Sequence, residues 1–195
     1  MKKIVKSILV ILVLLSIGCI KKDPSASIQE TTISFLNACH EGNFEGISKY
    51  ATQEVIDYYH SLPTYFFGED YNNFPDELKE NVQSFISKSI SAGYQSYEIK
   101  EIKTIDSKQA LVKVSVEGVS SNHLYKQEEF LSYLSTLPQD ELESKNEEEL
   151  TPYFVQQNID FILTRLDEAI QNKDFTTTEE SYKVILDHDI WKISR

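Results

Sequence analysis

Cysteine is scarce in this chain of 195 residues, which contains two, Cys19 and Cys39. Cys19 closes an N-terminal segment that looks like a signal, so Cys39 has no cysteine to pair with and the folded domain must depend on its hydrophobic core. Cys39 shares a predicted helical face with Phe35 and Leu36, which favours a small buried side chain. A catalytic thiol beside His40 is disfavoured because adjacent helical residues point about 100° apart.

Basic residues are also scarce, with 19 lysines and arginines against 31 aspartates and glutamates and a net charge of −12. Residues 1–18 hold three of the lysines and no acid, so removing them leaves a net charge of −15. Such a field repels nucleic acid and anionic lipid headgroups. We therefore predict no nucleic-acid partner and expect any membrane attachment to depend on lipid.

A hydrophobic run long enough to cross a membrane is absent from the sequence. The longest run, residues 8–15, is shorter than the roughly 20 apolar residues of a spanning helix. Three lysines precede it, and Gly18 and Cys19 follow it, which is the layout of a secretory signal peptide. The sequence predicts a signal peptide over residues 1–18 and a mobile tether over residues 19–26.

The Gly18-Cys19 junction resembles a prokaryotic lipoprotein signal. This resemblance implies cleavage after Gly18 and a diacylglycerol group on the Cys19 thiol. Two acyl chains are enough for stable anchoring, so the mature protein is expected on the extracytoplasmic face of the cell membrane. The alternative is an ordinary signal peptide in which Cys19 is incidental.

Catalytic and metal-binding motifs are missing as well. There is no glycine-rich phosphate loop and no nucleophile elbow around a serine. The four histidines lack metal-site spacing, and the acidic residues 139–149 lack the central glycine of a calcium loop. Asp57 and His60 fall three residues apart on a predicted helix, a spacing more typical of a surface contact. We predict no catalytic residue, cofactor or metal ligand, and an enzyme is the less favoured interpretation.

The patterns that are present predict an α+β fold in a single domain over residues 27–195. Apolar residues at helical spacing predict helices over residues 27–41, 44–50, 52–60 and 76–93, the first opened by a capping box at Ser27. Alternation predicts strands over residues 97–105, with a bulge, and over residues 109–117, 180–186 and 190–193. Between the strand pairs, about residues 120–178 form a predicted helical insertion, with a solvated connection and a long helix that begins at Thr151-Pro152.

Aromatic residues are concentrated between residues 58 and 74. Seven of the 22 aromatic side chains fall in this segment, around Pro63 and Gly68. They are predicted either to cover apolar surface, which we favour, or to line a concave ligand site. The residues predicted to line such a site are Tyr58, Tyr65, Phe66, Phe67 and Tyr71.

The order of elements resembles the nuclear transport factor 2-like superfamily. The resemblance rests on residues 35–38 in the first helix, residues 41–44 before the second, and the closing residues 187–193. It implies a cone-shaped α+β fold in which helices pack on a curved antiparallel sheet, with homodimerisation through the open sheet face as one alternative. Enzymes of the superfamily place an Asp, His or Tyr acid/base within the cone, but no position of this sequence carries that signature. The insertion is similar to that of membrane-anchored lipoproteins of unassigned function.

These features together predict a lipid-anchored, extracytoplasmic module that binds a ligand or an envelope protein. The alternative is a carrier or enzyme that holds a small hydrophobic ligand in an aromatic-lined pocket.

Overall fold

The computed structural model describes residues 23–120 and 127–194. The predicted signal peptide and Cys19 lie outside the described residues. In chain order the helices and strands are α1 (Ser25–His40), α2 (Phe44–Tyr50), α3 (Gln53–Phe67), a 3₁₀ helix (Glu69–Asn73), α4 (Asp76–Gly93), β1 (Ser96–Thr104), β2 (Gln109–Val119), α5 (Gln127–Leu134), α6 (Gln139–Glu143), α7 (Glu147–Asn172), β3 (Phe175–Asp187) and β4 (Ile190–Ser194). The fold class is α+β, as predicted.

The four strands form one antiparallel sheet in the order β1-β2-β3-β4. Alternate residues of β2 face the helices, and these are all fully or almost fully buried: Ala110, Val112, Val114 and Val116. The predicted bulge in β1 is confirmed, because the register shifts between Ile99 and Glu101. We call the face of the sheet that carries these buried residues the inner face. The opposite, outer face presents mostly polar and charged side chains.

Helices α1 and α4 pack on the inner face and close the main core. Phe35, Leu36 and Cys39 of α1 lie against the β2 valines, and Trp191 and Ile193 of β4 complete the cluster. The junction between α2 and α3 is tied to the sheet where the backbone N–H of residue 52 donates to the carbonyl of residue 193 at 2.8 Å. The prediction that Cys39 is a small buried residue is confirmed.

The long inserted helix, α7, packs on α4 rather than on the middle of the sheet, and α5 contacts α7. Ile159 of α7 joins Val82, Phe85 and Ile86 of α4 in a second apolar cluster. A third, smaller cluster joins the end of α7 to the ends of α4 and β2 through Leu166, Ala92 and Val119. Within the described ranges, no helix combines the length and apolar character needed to span a membrane.

Several predicted element boundaries are wrong. Helix α1 begins at Ser25 after Pro24, without the capping box predicted at Ser27. Helix α7 begins at Glu147, where the Asn146 side chain accepts from the backbone N–H groups of residues 148 and 149, so its capping box precedes the predicted start at Thr151. Strand β3 begins at Phe175, five residues before the predicted start, because its polar first half pairs with β2.

Helix α3 is longer than predicted and includes Pro63 and the aromatic residues that follow it. It ends where the backbone N–H of Gly68, at a φ of 71°, donates to the Thr64 carbonyl at 2.8 Å. The left-handed φ of this residue is the conformation that favours glycine at the end of a helix. Tyr65, Phe66 and Phe67 are therefore helical, and the irregular aromatic segment is shorter than the sequence suggests.

Candidate functional site

An acidic residue lies on the inner face of the sheet. The register of β3 against β2 places Val184 opposite Ala110, Tyr182 opposite Val112, and Glu180 opposite Val114. Val184 is completely buried, whereas Tyr182 and Glu180 are partly exposed. Further toward the start of the strand, Thr178 and Thr176 share this face and are exposed. The helical cover of the inner face therefore ends along β3, and Glu180 lies at this edge.

Two tyrosine hydroxyls contact one oxygen of the Glu180 carboxylate. The Tyr182 hydroxyl donates a short hydrogen bond to Glu180 Oε2. The Tyr94 hydroxyl lies 3.4 Å from the same oxygen and 3.2 Å from the Tyr182 hydroxyl oxygen. Tyr94, Glu180 and Tyr182 thus form one hydrogen-bonded group, which we call the tyrosine-glutamate cluster.

The end of α4 positions Tyr94 in this cluster. A Cβ atom on Gly118 of β2 would lie 2.1 Å from the Gly93 carbonyl oxygen, so only glycine lets the helix end approach the strand this closely. The Tyr94 carbonyl oxygen lies 2.7 Å from His40 Nδ1, and the Ser91 hydroxyl donates to the His40 carbonyl at 2.5 Å. The ends of α1 and α4 are therefore joined around Tyr94.

A second polar pair lies deeper in the core. Cys39 Sγ is 3.8 Å from the Tyr59 hydroxyl oxygen. The pKa of the Cys39 thiol is raised to about 12, chiefly by burial; the Tyr59 hydrogen bond lowers this pKa, and the nearby Glu180 charge raises it. Since the thiolate is the reactive form, Cys39 is not a nucleophile at neutral pH.

The tyrosines of the site remain neutral at ordinary pH. Burial is the largest cause that raises the pKa of Tyr59, Tyr94 and Tyr182 above the usual value. For Tyr94 and Tyr182, the Glu180 carboxylate adds to this effect. The cluster therefore offers hydroxyl groups, aromatic rings and one carboxylate. These groups can bind a ligand through hydrogen bonds, aromatic contact and negative charge.

The five aromatic residues predicted to line a ligand site differ in their exposure and do not all face one pocket. Tyr65 and Phe66 are 78% and 55% exposed at the end of α3, and their rings meet edge to face at 5.4 Å. Phe67 and Tyr71 pack with Phe74 against α4, which is the covering role that we favoured. Tyr58 is 39% exposed and contacts Tyr59 at 5.5 Å.

Two surface depressions are lined by residues other than these five aromatic residues. One of about 550 Å³ is lined by the last turns of α7 and the start of β3, including Arg165, Phe175 and Thr176. Another of about 390 Å³ lies between α4 and α7 around Leu78 and Tyr153. Neither depression has Tyr58, Tyr65, Phe66, Phe67 or Tyr71 among its lining residues.

Metal-binding geometry is not found in residues 23–120 and 127–194, where no group of three or more His, Cys, Asp and Glu side chains could hold an ion. The Asp57 carboxylate accepts from the Gln53 side chain at 2.8 Å. His188 and Asp189 form the turn between β3 and β4, both with left-handed backbone, at φ values of 47° and 65°.

The tyrosine-glutamate cluster was not identified from the sequence. The sequence does contain one signal for the cluster. Tyr182 and Val184 alternate with polar residues, and extending this alternation two residues toward the start of the strand places Glu180 on the same face. Tyr94 carries no comparable local signal, since its place in the cluster depends on the close contact of Gly93 with Gly118.

Comparisons with protein-family models, curated proteins and solved structures give no match for this chain.

Proposed function

We propose that this protein is a lipid-anchored, extracytoplasmic binding module that contacts an envelope protein through exposed aromatic side chains at the end of α3. The observation that carries the proposal is the exposure of Tyr65 and Phe66, at 78% and 55%. Neighbouring large aromatic side chains at the surface are typical of protein contact sites, where they supply most of the binding energy.

The aromatic pair has a rigid support. Phe66 meets Phe85 of α4 at 6.4 Å, and Phe67, one residue further along α3, meets the same ring at 6.1 Å. The pair is therefore held on packed helices rather than on a flexible loop. Rings fixed in advance lose little conformational entropy when a partner binds.

The membrane anchor and the nuclear transport factor 2-like cone are parts of the same proposal. The anchor is supported by the sequence around Gly18 and Cys19, and the cone is supported by helices on one face of an antiparallel sheet. The outer face of the sheet is polar, with Lys113, Ser115 and Glu117 along β2, so the proposed contact is the aromatic pair and not this face.

Anchoring is tested by expressing the full chain in a bacterium that processes lipoproteins. The expected product has lost residues 1–18, carries the mass of a diacylglycerol group and separates with membranes. The Cys19→Ala variant is expected to lack that mass. A wild-type product of unmodified mass would contradict the anchor.

Partner contact is tested by placing a photoreactive side chain at position 65 of the full chain in its native cell. Position 103 serves as a control because Lys103 is exposed on the outer face of β1. We expect a discrete crosslinked protein from position 65 that position 103 does not give and that Phe66→Ala removes. Equal crosslinking from both positions, or none from position 65, would overturn the proposed contact.

A further inference from the structure

Glu180 differs in its surroundings from Glu101 and Asp187, two other acidic residues of the sheet. Glu101 and Asp187 each have a lysine within 4 Å, Lys113 at 2.9 Å and Lys192 at 3.4 Å. Within the described part of the chain, the Glu180 carboxylate accepts from two neutral tyrosine hydroxyls and forms no ion pair. A partly buried carboxylate without a cation is costly unless a ligand supplies the positive charge.

Two tyrosines bring aromatic side chains close to this carboxylate. Tyr94 and Tyr182 contact it through their hydroxyl groups, and the Phe35 ring packs edge to face on Tyr182 at 5.8 Å. Rings attract cations through their negative faces, and a cation with an organic shell also gains from contact with apolar surface. A neutral hydrophobic ligand at the same place would leave the carboxylate unpaired.

The inner face of β3 is open to solvent next to the cluster. Thr178 and Thr176 are exposed on this face, and the depression of about 550 Å³ reaches Thr176. Residues two apart on a strand are separated by about 7 Å, so a small molecule that contacts Thr178 also reaches Glu180.

We propose that Glu180, Tyr94 and Tyr182 bind the ammonium group of a small organic cation that enters over Thr178. The Glu180 carboxylate supplies the opposite charge, and the tyrosine rings and hydroxyl oxygens contact the remaining surface of the cation. A bare metal ion fits less well, because the cluster offers one carboxylate and two neutral hydroxyls. Within the described residues, no three His, Cys, Asp or Glu side chains come together to hold an ion. This site is independent of the aromatic pair on α3.

The probe is choline, measured by calorimetry on the full-length chain in a maltoside detergent. Its neutral analogue, 3,3-dimethylbutan-1-ol, has the same shape without the charge. We expect saturable choline binding and at least about tenfold weaker binding of the alcohol. No saturable choline binding up to about 10 mM, or equal binding of the alcohol, would overturn the proposal.

Two variants of equal charge locate the site. Glu180→Gln removes the carboxylate on the inner face of the sheet. Glu179→Gln removes the exposed carboxylate of the preceding residue, which lies on the outer face. We expect about a tenfold loss of choline affinity for the first and less than about a twofold loss for the second. Equal losses would mean that choline responds to the general negative charge of the protein, and the proposed site would be wrong.

A second pair of variants leaves Glu180 in place. Thr178→Lys puts an ammonium group on the exposed inner face within reach of Glu180, and Thr177→Lys puts the same group on the outer face. We expect the first to lower choline affinity about tenfold by competing for the carboxylate, and the second to lower it less than about twofold. Equal effects of the two lysines would contradict the site even if Glu180→Gln failed to fold.

Glycerophosphocholine distinguishes two sources of the same ammonium group. If it binds as well as choline does, the natural ligand is a lipid headgroup or its derivative. If choline alone binds, the ligand is a free organic cation without a phosphate, as expected beside a carboxylate that repels anions.

Discussion

The two halves of strand β3 follow one alternation but lie in different surroundings. From Lys183 to Asp187 the strand pairs with β4, and as far as Ile185 it also pairs with β2; Val184 is completely buried. From Phe175 to Tyr182 the described pairing is with β2, and the inner-face side chains become progressively more exposed toward Thr176. One half of the strand builds the core, and the other carries the tyrosine-glutamate cluster.

The two halves of β3 differ in burial because different helices cover them. Helix α1 packs against both β1 and β4, so the residues near Val184 lie beneath Phe35 and beside Trp191. At the other half, α4 reaches the sheet at Gly118 of β2 and contributes Tyr94. Glu180 lies on the inner face where the apolar cover ends, so its carboxylate stays partly hydrated and accepts from tyrosine hydroxyls while its charge has no cation beside it.

The largest expected effect comes from removing the ring that lies between the two halves. Phe35 is 2% exposed and contacts Tyr182 edge to face. Phe35→Ala should lower the free energy of unfolding by about 3–5 kcal/mol, as expected for a buried phenylalanine. Urea denaturation followed by tryptophan fluorescence measures the change at Trp191.

The same substitution at a surface ring is the control. Phe66→Ala removes a side chain that is 55% exposed and should cost about 1 kcal/mol or less. Equal losses for the two variants would contradict the distinction between a core ring and a ring available to a partner.

A smaller effect is expected where α4 meets β2. Gly118→Ala places a methyl group 2.1 Å from the Gly93 carbonyl oxygen, so the backbone must move. We expect a loss of about 1–3 kcal/mol in unfolding free energy and displacement of Tyr94 from the cluster. Denaturation and the tyrosine ring signals in NMR spectra report these two effects.

The partner glycine in this contact provides the control. An added Cβ at Gly93 meets no atom within 4 Å, and alanine is the better residue for a helix. Gly93→Ala should leave stability unchanged or raise it by up to about 1 kcal/mol. A loss as large as that of Gly118→Ala would mean that the close contact does not constrain the sheet.

The buried face of strand β2 was predictable from the sequence, whereas the start of strand β3 was not. In β2, Val112, Val114 and Val116 alternate with polar residues, and this local pattern marks both the strand and its buried face. Residues 176–181 are threonines, glutamates and a serine, which show no apolar alternation. Their extended conformation depends on pairing with β2, about 60 positions away in the sequence.

The candidate site was missed for the same reason. The sequence directed attention to residues 58–74 because aromatic residues are dense there, but Tyr94 and Tyr182 stand apart from that segment. They meet at Glu180 through contacts between distant parts of the chain, and local spacing carries no information on such contacts. The density of aromatics instead marked the packing of α3 against α4 and the exposed pair Tyr65 and Phe66.

The smallest expected effect is a loss of stability at alkaline pH that arises from the Cys39 thiol. Burial raises the pKa of this thiol to about 12, whereas a thiol in the unfolded chain has a pKa of about 8.5. The folded protein therefore keeps a proton that the unfolded chain releases, and the contribution to stability is lost as the pH rises above about 8.5. Between pH 8.5 and 9.5 the free energy of unfolding should fall by about 1 kcal/mol.

The comparison with Cys39→Ala isolates this effect from the tyrosines, whose protons leave the unfolded chain at a higher pH of about 10. Urea denaturation at several pH values measures the slope for each protein. We expect the alanine variant to keep its stability up to about pH 9.5 and to lose it above that value as the tyrosines titrate. If both proteins showed the same decline from pH 8.5, the Cys39 thiol would not be shielded in the core, and the inner face near α1 would be open to water like the first half of β3.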